Sequence, residues 1–167
     1  MTTPADSSEA GPNHSPDEVP TTALLRAARG SYGHAIRREL TAAGLEDLPA
    51  NGAYVVGGIV THGGSAGDLV RQLGVSKQAA SQLIDTLVVR GYLERRVDPG
   101  DRRRNTIEAT DRGRAAAEAI KTGVDAVNAE LVDLISADGV KGLRAGLIAL
   151  IDIRERMEDE DRALFGP

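Results

Sequence analysis

Between Thr21 and Leu40 the apolar residues Leu24, Leu25, Ala28, Tyr32, Ile36 and Leu40 recur at three- and four-residue intervals. That is the spacing of one helix face, and Gly44 is placed to stop the helix. Pro49 predicts the start of a second helix carrying Tyr54, Val55, Ile59 and Val60, which Gly63-Gly64 ends. Gly57 and Gly58 weaken it by roughly 1 kcal/mol each against alanine. A short helix over about 66–73 comes next, then a Gly74-Val75 turn and a longer helix over about 77–90. Tyr92 to Val97 and Arg103 to Thr110 read as two short strands around the turn Asp98-Pro99-Gly100-Asp101. Thr110 can cap a last pair of long helices. Their apolar positions are Ile120, Val124, Val127, Leu131 and Leu134, then Val140, Leu143, Leu147, Leu150 and Met157, closer to coiled-coil seams than to a broad core face. The pattern predicts a mainly α fold with one small β-hairpin. Met1 to about Pro20, with four prolines and no periodic face, reads as a disordered tail.

The helix after Gly74 has two unlike sides. Ser76 is a good N-cap. At about 100° per residue, Lys77, Gln78, Ser81, Gln82 and Asp85 fall within an arc of roughly 140°. Ala79, Ala80, Leu83, Ile84 and Leu87 take the opposite, buried side. Short polar groups and amides near a helix N-terminus suit major-groove reading: Gln pairs with adenine, Lys with guanine or phosphate, and Ser adapts to either. Polar faces are common on surface helices, and the neighbourhood adds the weight. A short helix, a glycine turn and this helix make a helix-turn-helix. The hairpin beside it carries Arg95, Arg96, Arg102, Arg103 and Arg104, suited to holding phosphates and entering a minor groove.

Charge sharpens this picture. The chain of 167 residues has a formal net charge of -5. From His62 to Arg114, however, ten basic residues face seven acidic ones, so this stretch carries +3 and the remainder −8. Aromatic residues make up only 2%, which counts against stacking of single-stranded bases as the main mode of binding. The absence of cysteine excludes disulfides, thiol redox sensing and cysteine-ligated zinc. With no apolar run of membrane length and no export signal, a soluble cytoplasmic protein is expected.

The stretch Asp101-Arg102-Arg103-Arg104-Asn105-Thr106-Ile107-Glu108-Ala109-Thr110-Asp111-Arg112-Gly113 resembles the wing signature of MarR-type regulators, D-x-R-x-x-x-(apolar)-x-(apolar)-T-x-x-G. Asp68 to Leu83 resembles the helix-turn-helix of the same family, and Arg90-Gly91-Tyr92-Leu93 its passage into the wing. The likeness extends over about 21–160. Val70 and Ala109 depart from the usual Ala and Leu, which bears on packing rather than on DNA contact. The resemblance implies a winged helix-turn-helix with flanking helices that form a dimerisation region. By this resemblance Ser76, Lys77, Gln78, Ser81 and Gln82 would face the major groove, Arg103 would enter the minor groove and Asp101 would orient the wing, while the arginine-bearing hairpin itself suggests Arg95, Arg102 and Arg104 on phosphates. The division it implies is a tail over 1–20, a dimerisation helix over 21–48, a DNA-binding region over 49–112, dimerisation helices over 113–160 and a tail over 161–167. The partners would be a pseudo-palindromic double-stranded operator and a second copy of the chain, and the expected role is a repressor. Family members often bind small aromatic or phenolic anions, for which Tyr32, Tyr54 or His62 would line a pocket. The competing reading is a ligand-sensing or protein-interaction dimer that makes no use of its winged helix on DNA.

Two patterns are decoys. Gly63-Gly64-Ser65-Ala66-Gly67 matches the G-x-S-x-G elbow of hydrolases. That arrangement needs a histidine after the serine, and His14, His34 and His62 all precede Ser65. The same three histidines lack metal-ligand spacing. Neither an enzyme nor a cofactor or metal is expected.

Overall fold

The periodic run after Pro20 folds as α1, Thr21–Ala42. It ends in a Schellman turn. Gly44 stands at φ 67°, its N–H donates to the Thr41 carbonyl at 3.0 Å, and the Leu45 N–H donates to the Leu40 carbonyl at 2.9 Å. Leu40 and Leu45, brought together by this turn, are both buried. The computed structural model describes residues 18–49, 51–62, 76–97 and 105–165. The predicted tail to residue 17, the short helix over 66–73, the Gly74-Val75 turn and the hairpin tip lie outside the described residues.

Helix α2, Gly52–His62, begins three residues after Pro49 rather than at it. The chain first makes a turn there, the Gly52 N–H donating to the Pro49 carbonyl at 2.7 Å. Gly52 lies so near the next helix that a Cβ on it would stand 2.9 Å from Leu87 Cδ2. That helix, α3, spans Lys77–Val89. It too closes in a Schellman turn, with Gly91 at φ 73° and the Tyr92 N–H donating to the Leu87 carbonyl at 2.9 Å. Strands β1, Leu93–Val97, and β2, Asn105–Ala109, pair antiparallel with Leu93 opposite Ala109 and Val97 opposite Asn105.

Helix α4, Asp111–Phe165, contains the two predicted long helices as one element interrupted at Ser136, which has φ 66° and ψ 166°. The Ser136 hydroxyl accepts from the Gly139 N–H at 3.3 Å, so the interruption caps the second half of the helix. The first half of α4 packs on α1 and α2. Gly123 marks the crossing with α1, where a Cβ would lie 2.9 Å from the backbone of Ala35 and Ile36. Val56, Leu87, Tyr92 and Leu93 form the most deeply buried part of the core, with Leu40, Ile59, Ala116 and Ile120 around them. Among the described residues no buried side-chain polar atom lacks a partner.

Tyr92 and Thr110 flank the strands and join them to the helices. The Thr110 N–H donates to the Tyr92 carbonyl at 3.1 Å, and the Thr110 hydroxyl donates to the Gly91 carbonyl at 2.6 Å. The same hydroxyl oxygen accepts from the Gly113 N–H at 3.0 Å, capping α4. A Cβ on Gly113 would stand 2.1 Å from the Tyr92 carbonyl oxygen. Helix propensity alone favours alanine over glycine there by roughly 1 kcal/mol. The overlap is with backbone, which cannot rotate away, and overpacking of this kind costs about 1–3 kcal/mol or more. Gly113→Ala is therefore expected to lower the unfolding free energy by about 2 kcal/mol, read from the midpoint of urea denaturation.

Candidate nucleic-acid interface

Helix α3 shows the expected two sides. Ala80, Ile84 and Leu87 are buried, and Leu83 is half-buried against the core. Ala79 is exposed, contrary to its expected burial. It lies on the flank of the buried arc, about 100° before Ala80, in the first turn of the helix. Lys77, Gln78, Ser81, Gln82 and Asp85 are all exposed. Ser76 caps the helix as anticipated, its hydroxyl accepting from the Ala79 N–H at 3.2 Å. The fold therefore presents a row of amides, hydroxyls and one ammonium at a capped helix N-terminus. Such a row can hydrogen-bond base edges and approach a phosphate.

The wing meets this helix through charge. Arg95 on β1 forms an ion pair with Asp85 on α3, both about half exposed. Arg96 lies between Glu94 at 2.7 Å and Glu108 at 3.3 Å. The hydrogen bond to Glu94, reinforced by both carboxylates, raises the pKa of Arg96 above its ordinary value. Reading the hairpin as a wing puts Arg95 among the arginines that hold phosphates, and its described partner is instead a carboxylate of the same chain. Asp101, Arg102, Arg103 and Arg104 lie outside the described residues.

The base of α3 is held by a polar cluster for which the local pattern gave no sign. The wholly buried Tyr92 directs its hydroxyl to Asp47, donating to Oδ1 at 2.6 Å. Arg112, from the first turn of α4, ion-pairs with the same Asp47 oxygen at 2.8 Å and donates to the Arg90 carbonyl. Its guanidinium carbon lies 4.4 Å from the centroid of the Tyr92 ring, a cation–π contact. Arg90 donates in turn to the Asp47 backbone carbonyl. Spacing rules see only near neighbours, and Asp47 and Arg112 are 65 residues apart.

The three residues expected at an effector pocket are not all brought together. Tyr54 is 47% exposed. It borders a cavity of about 670 Å³ between α1 and the start of α2, with Arg26, Arg29 and Arg37 at its rim and Ile36, Leu40 and Leu48 in its floor. The Arg29 guanidinium lies 6.0 Å from the Tyr54 ring centroid. Tyr32 does not line that cavity, and its hydroxyl donates to Asn128 Oδ1 on α4 at 2.9 Å. The His62 side chain lies outside the described residues. Among the described residues no cluster of His, Asp and Glu could hold a metal, and no helix is long and apolar enough to cross a membrane.

Burial, followed by the hydrogen bond to the Asp47 carboxylate, pushes the Tyr92 phenol up to about 12. The same hydrogen bond, with Arg112 and Arg90 beside it, lowers the pKa of Asp47 below its ordinary value against the opposing effect of burial. The fold thus holds the neutral phenol. Its contribution to stability is complete below pH 10 and is lost as pH rises from 10 through about 12. Urea midpoints at about pH 9 and about pH 11.5 should therefore fall further apart for the native chain than for Tyr92→Phe.

The sequence profile of the MarR family matches residues 47–104, the segment that contains α2, α3 and β1. No curated protein matches the chain. Solved structures do. A crystal structure of MarR is 26% identical, covers 88% of this chain and 99% of its own, and superposes with a TM-score of 0.62. The S. aureus MepR–DNA complex is 20% identical, covering 81% and 97%, with a TM-score of 0.65. Apo MarR from E. coli is 23% identical, covering 79% and 97%, with a TM-score of 0.56. With its helices, capped turn and two-stranded wing arranged in this order, the chain has the winged-helix fold of these proteins, and its segment 47–104 is similar to the MarR family.

Proposed function

We propose that the protein is a homodimeric transcription regulator that binds a pseudo-palindromic double-stranded operator and represses by occupying it. The observation that carries this reading is the exposed, Ser76-capped polar face of α3 beside the hairpin. Ser76, Lys77, Gln78, Ser81 and Gln82 contact the major groove, Arg102 and Arg104 hold phosphates, and Arg103 enters the minor groove with Asp101 orienting the loop. Arg95 acts through Asp85, aligning wing and helix, and reaches a phosphate only if that pair opens. The MepR–DNA complex, a relative in fold, supports a duplex as the partner.

Residues 49–112 form the DNA-binding part in this reading, flanked by dimerisation helices over 21–48 and 113–160 and by tails over 1–20 and 161–167. The second half of α4 supports the pairing of two copies. There Leu143, Leu147, Ile148, Leu150 and Ile151 are each 37–58% exposed, more apolar surface than one chain covers by itself. The protein acts in the cytoplasm and catalyses no reaction. A small aromatic or phenolic effector releases it from DNA by changing the separation of the two α3 helices, since only one separation suits both half-sites. The cavity beside Tyr54, rimmed with arginines, supports this part of the reading.

Selection from a random duplex pool, followed by binding titrations at two salt concentrations, tests the proposal. The native chain should recover a two-fold-related sequence. Arg103→Ala should weaken binding and flatten its salt dependence. Gln78→Ala should instead alter base preference at one position by about 1–3 kcal/mol. If a folded dimer, verified by light scattering, binds no duplex, the protein is an interaction dimer and the proposal is wrong.

A further inference from the structure

The cluster at Asp47 joins three separate segments: the α1–α2 connection, the turn from the C-terminus of α3 into β1, and the first turn of α4. Arg112 is its centre. One guanidinium grips the Asp47 carboxylate and the Arg90 carbonyl while lying over the Tyr92 ring. Arg90 and the Tyr92 hydroxyl reach back to Asp47 from the other side. Arg112 is far along the chain from the polar residues of α3, and its contacts lie at the opposite, C-terminal end of that helix. Its side chain is 40% exposed and that of Asp47 is 47% exposed, so as an ordinary surface pair the two would contribute little to stability. The geometry is unlike that of an ordinary surface pair. A planar guanidinium satisfies a carboxylate and a carbonyl at once and stacks on a ring, and an ammonium cannot do all three. Among the described residues, the α3 C-terminus is tied to α4 by these contacts, by the adjoining Tyr92–Gly113 approach and by the hydrogen bonds of Thr110 to Gly91 and Tyr92.

We propose that Arg112 and Asp47 are a positioning pair that sets the angle between the reading helix α3 and the dimerisation helices, and so fixes which half-site spacing the dimer accepts. This rests on the operator-binding reading given above. Neither residue touches DNA. Their loss leaves the chemistry of each half-site contact intact and degrades the match between two half-sites.

The test has two arms, both on the full-length dimer. The first uses the duplex recovered by selection with the native chain, versions of it with the half-site spacing changed by one base pair either way, and a single half-site. For Arg112→Lys, Arg112→Gln and Asp47→Asn, affinity for the native spacing should fall about tenfold and the preference over neighbouring spacings should flatten. Affinity for the single half-site should change less than about twofold. Lys121→Gln, which removes an exposed ion pair further along α4, should leave all of these unchanged. Asp47→Asn keeps an acceptor for the Tyr92 hydroxyl and serves if the Arg112 variants do not fold.

The second arm needs no DNA. The chain contains no cysteine. A single spin label at Val89→Cys, 85% exposed at the end of α3, therefore reports the separation of the two copies. The native distance distribution should be narrow and should broaden in the three variants. If the variants lower the unfolding midpoint yet keep the native distance distribution and spacing preference, the pair only stabilises the fold and the inference is overturned. Equal losses on single and paired half-sites also overturn it. Failure of the native chain to bind any duplex refutes the operator reading instead, and the spin-label arm still decides the positioning role.

Discussion

One backbone oxygen, the carbonyl of Tyr92, determines how α3 and the hairpin are mounted on the rest of the molecule. It accepts the Thr110 N–H and lies where a side chain at position 113 would have to be. Thr110 binds the turn that ends α3 and caps α4 with the same hydroxyl. A two-stranded hairpin is marginal by itself in water. Here its open end, Leu93 opposite Ala109, is held between the close of one helix and the start of another. The T-x-x-G part of the wing signature is thus a packing constraint. It brings helix, wing and arm into one rigid junction, and any DNA contact depends on it indirectly.

Electrostatics is distributed with similar economy. The excess positive charge between His62 and Arg114 suggests a broad basic surface, but in the described residues most of its arginines have partners within the chain. Arg90 binds the Asp47 carbonyl, Arg95 binds Asp85, Arg96 lies between two glutamates, Arg112 binds Asp47, and Arg114 binds Asp111. An internally paired arginine displaces few counterions from a duplex, so it adds little to the salt-dependent part of affinity. In an acidic protein this concentrates phosphate attraction at the α3 N-terminus with Lys77, and in the proposed function at Arg102–Arg104. Narrow placement of charge favours one docking pose over diffuse adhesion.

Local order was legible in the sequence where its causes are local. The helical periodicity, the Ser76 cap, the stop at Gly44 and the polar arc of α3 are relations between residues a few positions apart, and the structure reproduces them. Pro49 misled because proline suits a turn as well as a first helical position, and here the chain turns before the helix begins. Tyr54 and Val60 stand exposed within the α2 pattern, because periodicity assigns a face without saying whether a neighbour covers it. The Asp47–Tyr92–Arg112 cluster and the Arg95–Asp85 pair were invisible for a different reason. Charged residues on helix starts and strands have many ordinary uses, and only the path of the whole chain selects which acid meets which base. Arg112 read simply as one positive charge among ten.

The position of that cluster gives it leverage. It grips the C-terminal end of α3, whereas the outward-facing polar residues lie toward the N-terminal end, the farthest, Lys77, at the other end of the 13-residue helix. At 1.5 Å per residue the arm is about 20 Å long. A rotation of about 5° at the joint moves the reading end by nearly 2 Å, and in a two-fold dimer the two displacements combine to about 3.5 Å, close to the 3.4 Å step between base pairs. Angular play too small to disturb core packing is therefore enough to misplace two half-sites by a whole base pair. A duplex with fixed spacing requires this joint to be stiff, and the forked guanidinium of Arg112, stacked on a buried ring and tied to two other segments, supplies that stiffness outside the apolar core.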